Sequence, residues 1–301
     1  ALPRLVERGD REVISAMASL FRSHDWRLRE AALDALAGIA KKGDKDVVAG
    51  ALAQLSDSEP RVRMAAVRTA AEIAERGDRS VVSVLTSRLE DSDGSLQQAA
   101  LSCLPGVIEK ADKRVVASVA ARLSDEGSWQ IRQTAVSTLA ELVSPGDQTV
   151  MGVIAERLED EDWPVRGAAI DALAKLAEPG DEGVVAHLLS CLEDCAPYVR
   201  CAAAERLVHV AKAGDQEVVS ALAARIKGSH LQRNECHPMV RRAIAGALEQ
   251  LGLGDAEALL QTAVDGAGAR GAPPSTSSAP PSLEALERWA AAEVPGAAGE
   301  A

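Results

Sequence analysis

The sequence predicts an all-α fold, a right-handed α-solenoid of about seven helix pairs, and three observations carry that reading. A Gly-Asp pair recurs at Gly9-Asp10, Gly43-Asp44, Gly77-Asp78, Gly146-Asp147, Gly180-Asp181 and Gly214-Asp215, with Ala111-Asp112 in the one missing slot. Successive Asp residues stand 34, 34, 34, 35, 34 and 34 positions apart, and a fixed period of this length is the mark of a stacked-repeat architecture. Between the pairs, apolar residues fall at helical rather than alternating spacing. Aromatics make up 2% of the 301 residues while apolar residues reach 47%. A core of Ala, Val and Leu suits helices packed closely together better than a broad sheet or a cofactor cavity.

Each element follows from this pattern. Gly takes the left-handed conformation that ends one helix, and Asp caps the start of the next. After each Asp, apolar residues at +3, +4, +7 and +11, such as Val47, Val48, Ala51 and Leu55, or Val184, Val185, Leu188 and Leu192, form one stripe on a helix of about three turns. This first helix runs into a polar turn ("SDSEPRVR", "EDEDWPVR", "EDCAPYVR") and a second helix follows. Its first apolar column reads Leu28, Val62, Leu96, Ile131, Val165, Val199 and Val240. Four residues on stand Ala32, Ala66, Ala100, Ala135, Ala169 and Ala203, with Ile244 breaking the run. Small residues there let neighbouring helices approach closely. Two insertions disturb the register, one residue near Gly127 and about seven in "GSHLQRN" at 228–234.

The pattern L-x-D-x-x-x-x-V-R-x-x-A-A-x-x-A-L resembles HEAT repeats, above all the short HEAT-like kind found in bilin lyase subunits. Tetratricopeptide and ankyrin signatures are absent. The resemblance implies a ladder in which a turn Asp and a second-helix Arg stack along the solenoid. The matching carboxylates are Asp57, Asp91, Asp125, Asp160 and Asp194, and the matching cations are Arg29, Arg63, Arg132, Arg166, Arg200 and Arg241. Gln97 interrupts the Arg column and Ser23 stands in the Asp column of the first repeat, so the ladder is expected to weaken there.

Three segments are expected: a HEAT-like solenoid over 1–265, a Gly/Pro/Ser-rich linker over 266–282, and a short amphipathic helix and tail over 283–301. "ALPRLVERGD" matches the second half of a second helix, "CLPGVIEKAD", so the solenoid is expected to begin inside a repeat. "DAEALLQTAV" (255–264) reads as the first helix of an eighth unit. In the last segment Leu283, Leu286, Trp289 and Ala290 would share one face, although an isolated helix of this length is marginal and a disordered tail is the competing reading.

The net charge of −12 argues against nucleic acid as a partner and fits one that is basic. No apolar run approaches the length that membrane insertion needs, and the N-terminus has no signal-peptide core. Five cysteines without framework spacing suggest reduced thiols in an intracellular, cytoplasmic protein. His187, Cys191, Cys195 and Cys201 cluster in sequence, but their spacing matches no finger-like zinc pattern, and Cys191 aligns with Arg157 in the preceding repeat. No metal and no cofactor is assigned. The five histidines fall in unrelated columns, no nucleophile motif is present, and no His is followed by Glu, as the iron site of the HEAT-like deoxyhypusine hydroxylases would require. The chain therefore reads as a non-enzyme.

Two surfaces are candidates for recognition. Trp26, Trp129 and Trp163 share a position that Pro60, Pro197 and Pro238 occupy elsewhere. Helix initiation explains that exchange, while Trp anchors for a partner would form one edge. The second surface is the outer face of the second helices, where Arg68, Asp171, Glu205, Glu72 and Lys175 vary against uniform neighbours. The resemblance makes this face the concave groove, on the order of 60–70 Å long over seven repeats. The expected function is a non-catalytic protein-interaction scaffold whose partner is a basic protein or an extended peptide. Two alternatives remain: a HEAT-like accessory or lyase subunit handling a bilin, and an architectural segment of a larger repeat protein.

Overall fold

The computed structural model describes residues 7–252, apart from 110–111, 125–127, 213 and 228–236. Among the described residues fourteen α-helices form seven successive pairs: α1 (Arg11–Ser19) with α2 (Trp26–Ile39), α3 (Lys45–Ala53) with α4 (Pro60–Ile73), and α5 (Arg79–Arg88) with α6 (Gly94–Val107). Then come α7 (Lys113–Ala120) with α8 (Trp129–Leu142), α9 (Gln148–Ala155) with α10 (Trp163–Leu176), α11 (Glu182–Cys191) with α12 (Pro197–Val210), and α13 (Gln216–Lys227) with α14 (Pro238–Gln250). The pairs are numbered here as repeats one to seven.

The Gly-Asp pair works as the sequence implies. Gly9, Gly43, Gly77, Gly146, Gly180 and Gly214 all hold φ between +75° and +90°. Each following Asp accepts from amides in the first turn of its helix, as Asp44 does from Val47 and Asp181 from Val184. The apolar stripe of the first helices is buried, with Val47, Val48, Ala51 and Leu55 no more than 5% exposed. In four repeats the last turn of this helix tightens into a 3₁₀ segment, and in two of them it buries a Leu, Leu55 and Leu123.

A second use of the glycine is invisible in the sequence. Its amide donates across the joint to the C-terminal carbonyl of the next repeat's second helix: Gly9 to Ile39 at 2.8 Å, Gly43 to Ile73 at 2.6 Å, Gly77 to Val107 at 2.7 Å, Gly146 to Leu176 at 2.8 Å and Gly180 to Val210 at 2.6 Å. One residue thus ends a helix, turns the chain and caps its neighbour's orphan carbonyl. Gly180→Ala is expected to cost about 1–2 kcal/mol, since an L-residue at φ near +85° is strained. A urea melt checks this. Its Cβ would also meet the aliphatic stem of Lys212, which can move aside.

The alanine column is fully packed, from Ala32 at 1% exposure to Ala203 at 0%, and Ile244 is equally buried at 0%. Even-numbered helices form a continuous row in which each packs on the next. The first apolar column of this row lies at those contacts, and all members but one are buried. Leu28 departs from expectation at 46% exposure. The linker at 266–282, the segments 255–264 and 283–301, the insertion at 228–234 and the chain start at 1–6 lie outside the described residues, as does the ladder's Asp125.

Candidate functional site

The arginine ladder is the most strongly built polar feature. Arg29 grips Asp57 of the next repeat through two parallel bonds, Nε to Oδ2 at 2.6 Å and Nη2 to Oδ1 at 2.7 Å. Arg132 does the same to Asp160 at 2.8 Å twice, and Arg166 to Asp194 at 2.7 and 2.8 Å. Four ladder arginines also anchor their own turns, six residues back: Nη1 donates to the carbonyl of Ser23 from Arg29, of Asp57 from Arg63, of Asp160 from Arg166 and of Asp194 from Arg200. The side-chain pairing is therefore between repeats, while the pairing within a repeat uses backbone. Ser23 supplies its carbonyl as well as an Asp would.

One rung is corrected. Arg63 bonds Asp93 at 2.6 Å rather than Asp91. Asp91 is held instead by Arg88 at 3.1 Å on the preceding helix end, which leaves the N-cap carboxylate of α6 as the nearest free acceptor. Asp162 at the same cap position likewise adds a bond to Arg132 at 2.9 Å. The acceptors that would face Arg200 and Arg241 from a following repeat fall outside the described residues.

Each ladder Asp among the described residues also accepts an amide two residues on: Glu59 on Asp57, Asp93 on Asp91, Asp162 on Asp160 and Ala196 on Asp194. Burial pushes the carboxyls of Asp57 and Asp160 up, but the guanidinium and amide bonds outweigh it and hold both below the usual carboxylate value. A depressed folded-state pKa contributes stability that is present above the unfolded value and lost as pH falls through the folded one. The urea midpoint is thus expected to hold from neutrality to about pH 4 and then decline. A D57N/D160N variant should be less stable at neutral pH and decline less steeply.

The recognition candidates lie elsewhere. Even-numbered helices pack closely along the stack while odd-numbered ones barely meet across repeats. The outer face of the even helices is the one that the resemblance to HEAT repeats makes the groove. Arg68, Glu72, Asp171, Lys175 and Glu205 are all exposed on it. Two pairs tie neighbours together: Asp34 with Arg68 at 3.7 Å, and Asp171 with Arg206, whose Nε donates at 2.7 Å. Arg206 escaped the sequence reading because it stands one residue past the column that was followed. Between the pairs the floor is neutral, with Gln98 Nε2 donating to Thr134 Oγ1 at 3.4 Å and Ser102 to the Gln98 carbonyl at 2.9 Å.

The tryptophans are half-buried and pack on the core. Trp163 meets Tyr198 of the next repeat edge-on, with centroids 5.0 Å apart, and Trp26 lies under Arg27 and Arg61 at 4.9 and 5.5 Å. These contacts link the start of one even helix to the next, a packing role that helix initiation alone did not predict. Among the cysteines, burial raises Cys103, takes Cys191 up to about 11, and with Glu205 takes Cys201 to about 12, so these thiols stay protonated at neutral pH. Among the described residues, no group of three or more His, Cys, Asp or Glu side chains is placed to hold a metal ion, and no helix is long and apolar enough to cross a membrane.

Comparison with known protein families agrees with this architecture. The family model for HEAT repeats matches residues 35–105, 116–208 and 153–231. No curated protein matches the chain. Among solved structures, the complex of CpcE and CpcF of phycocyanin lyase from Nostoc sp. PCC7120 is 17% identical, with 83% of this chain and 94% of that chain covered and a TM-score of 0.46. An engineered protein is 20% identical, with 81% and 98% covered and a TM-score of 0.34.

Proposed function

The chain belongs to the HEAT-repeat family, and from that premise we propose that it is a non-catalytic scaffold that binds another protein along the inner face of its even-numbered helices. The observation that carries this reading is a row of exposed charges set over a floor of small residues. Glu72, Glu141 and Lys175 form no ion pair among the described residues, while Ala99, Ser102, Gly106 and Ser137 stand around them. Small residues let a partner's backbone come close, and charges without partners at the floor's edges set its register. With a net charge of −12 on the chain, a basic extended segment or a basic helix is the best-matched occupant.

The test compares wild type with a variant carrying Arg68→Glu, Asp171→Lys and Glu205→Lys, in an affinity capture read by mass spectrometry. The variant's helicity and melt are measured first, because two of these residues also pair across joints. A partner retained by wild type and lost by the folded variant supports the groove. Capture of the same partners by both would remove it and turn attention to the Trp26, Trp129 and Trp163 edge.

A further inference from the structure

We propose that the joint between repeats five and six is a docking site for an arginine side chain of a partner protein. A column of arginines within the chain supplies the template. Ten residues after the Asp of the Gly-Asp turn, repeats three to seven carry Arg88, Arg122, Arg157, Cys191 and Arg225. Three of these arginines reach back one repeat: Arg122 Nη1 donates to the Leu89 carbonyl at 3.2 Å, Arg157 Nη1 to the Leu123 carbonyl at 3.0 Å, and Arg225 Nη1 to Glu193 Oε1 at 2.8 Å. Arg88 turns instead to Asp91 in its own repeat. Cys191 breaks the column at one joint. Leu158 there holds the position of Leu89 and Leu123, but a thiol one atom beyond Cβ has neither the charge nor the reach of a guanidinium.

Apolar surface and space accompany the gap. Leu55, Leu89, Leu123 and Leu192, each one repeat behind an arginine of the column, are no more than 5% exposed, whereas Leu158, one repeat behind Cys191, is partly exposed. An open groove of about 870 Å³ lies between the ends of α9 and α11, with Leu158 and Cys191 in its wall. Four carboxylates line it, those of Glu156, Glu159, Glu193 and Asp194, against one arginine, Arg157, which the Leu123 carbonyl already holds. Glu193 and Asp194 are paired with Arg225 and Arg166, while the exposed Glu159 forms no ion pair among the described residues. A guanidinium matches this set. Its planar fork donates to a carbonyl and a carboxylate at once, and its aliphatic stem covers a leucine. The docked arginine thus donates to the Leu158 carbonyl and to Glu159, and lays its stem on Leu158. The groove lies at the ends of odd-numbered helices, so the site does not depend on what the outer face of the even helices binds.

Capped single residues titrated into the full chain, read by backbone amide NMR shifts, test this. N-acetyl-arginine amide is expected to move the amides of residues 158–159 and 190–193 saturably, and to bind roughly threefold tighter than N-acetyl-lysine amide. Free arginine, whose own carboxylate meets the four acids, should bind more weakly than the capped form. Glu159→Gln, at an exposed position, should weaken binding of the arginine amide and narrow its lead over lysine. Cys191→Arg completes the column from within and should abolish the shifts without lowering the urea midpoint. Equal affinity for the two amides, tighter binding of free arginine, or no saturable shift at those residues would overturn the docking site whether or not the variants fold. A folded Cys191→Arg chain that still binds the arginine amide would overturn it too.

Discussion

Arg132→Ala is expected to lower stability by roughly 2–4 kcal/mol, because removing one member of a buried pair strands the other. The Arg132 side chain is 6% exposed and Asp160 5%, so Asp160 would keep its charge with one amide bond and little water. The lower end of the range reflects Asp162, which is 40% exposed and rehydrates readily once its partner is gone. A double-mutant cycle with Asp160→Ala separates stranded charge from lost attraction. If stranding dominates, the double variant regains part of the loss. If the double variant is as unstable as the sum of the singles, the pair acts as two independent residues and the ladder does not set register.

The same substitution has a local signature. In a stack whose stability is close to a sum over nearest-neighbour joints, a lesion is felt first where it sits. Repeat four has Arg132 clamping it forward, while behind it Gln97 stands in the ladder's Arg column and Ala111 in the turn's Gly column. Arg132→Ala should therefore raise amide exchange in α8 and α10 well before the global transition, whereas the equivalent lesion at Arg29 should spread less.

How far the sequence exposed this design depends on which groups make each contact. Gly-Asp turns, apolar stripes and the alanine column are side-chain patterns at fixed period, so they were legible one residue at a time. The ladder was legible as columns but not as partners. Asp91 and Asp93 are both carboxylates within reach of Arg63, and only the competing Arg88 decides between them. The glycine clamp could not be read at all, since donor and acceptor are backbone. Thr69 and Thr138 left a fainter trace: polar residues 1% and 3% exposed in a column that also holds Ala35, Cys103, Ala172, Arg206 and Ala247. A second arginine column, Arg88, Arg122, Arg157 and Arg225, with Cys191 in its one other slot after Arg157, is also periodic. On the inner face the sequence named the exposed positions, but charge pairing across joints depends on side-chain reach, which is why Arg206 was missed.

Ala169→Leu probes the other half of the design, the closeness of the even helices. Ala169 is 0% exposed in a column where every repeat but the last keeps alanine, and three added carbons have no void to enter. Overpacking is expected to cost about 1–3 kcal/mol. Ala31→Leu on the exposed face of α2 is the control and should change little. A denaturant melt that leaves Ala169→Leu unshifted would mean the joint between repeats can open by a side chain's width without penalty. That result would contradict the short Gly180-to-Val210 and Arg166-to-Asp194 contacts, 2.6 and 2.7 Å at their closest, because both need the even helices at their present spacing. The small residues and the two polar clamps thus stand or fall together: alanine permits the approach, and the approach is what lets one repeat's arginine and glycine reach the next.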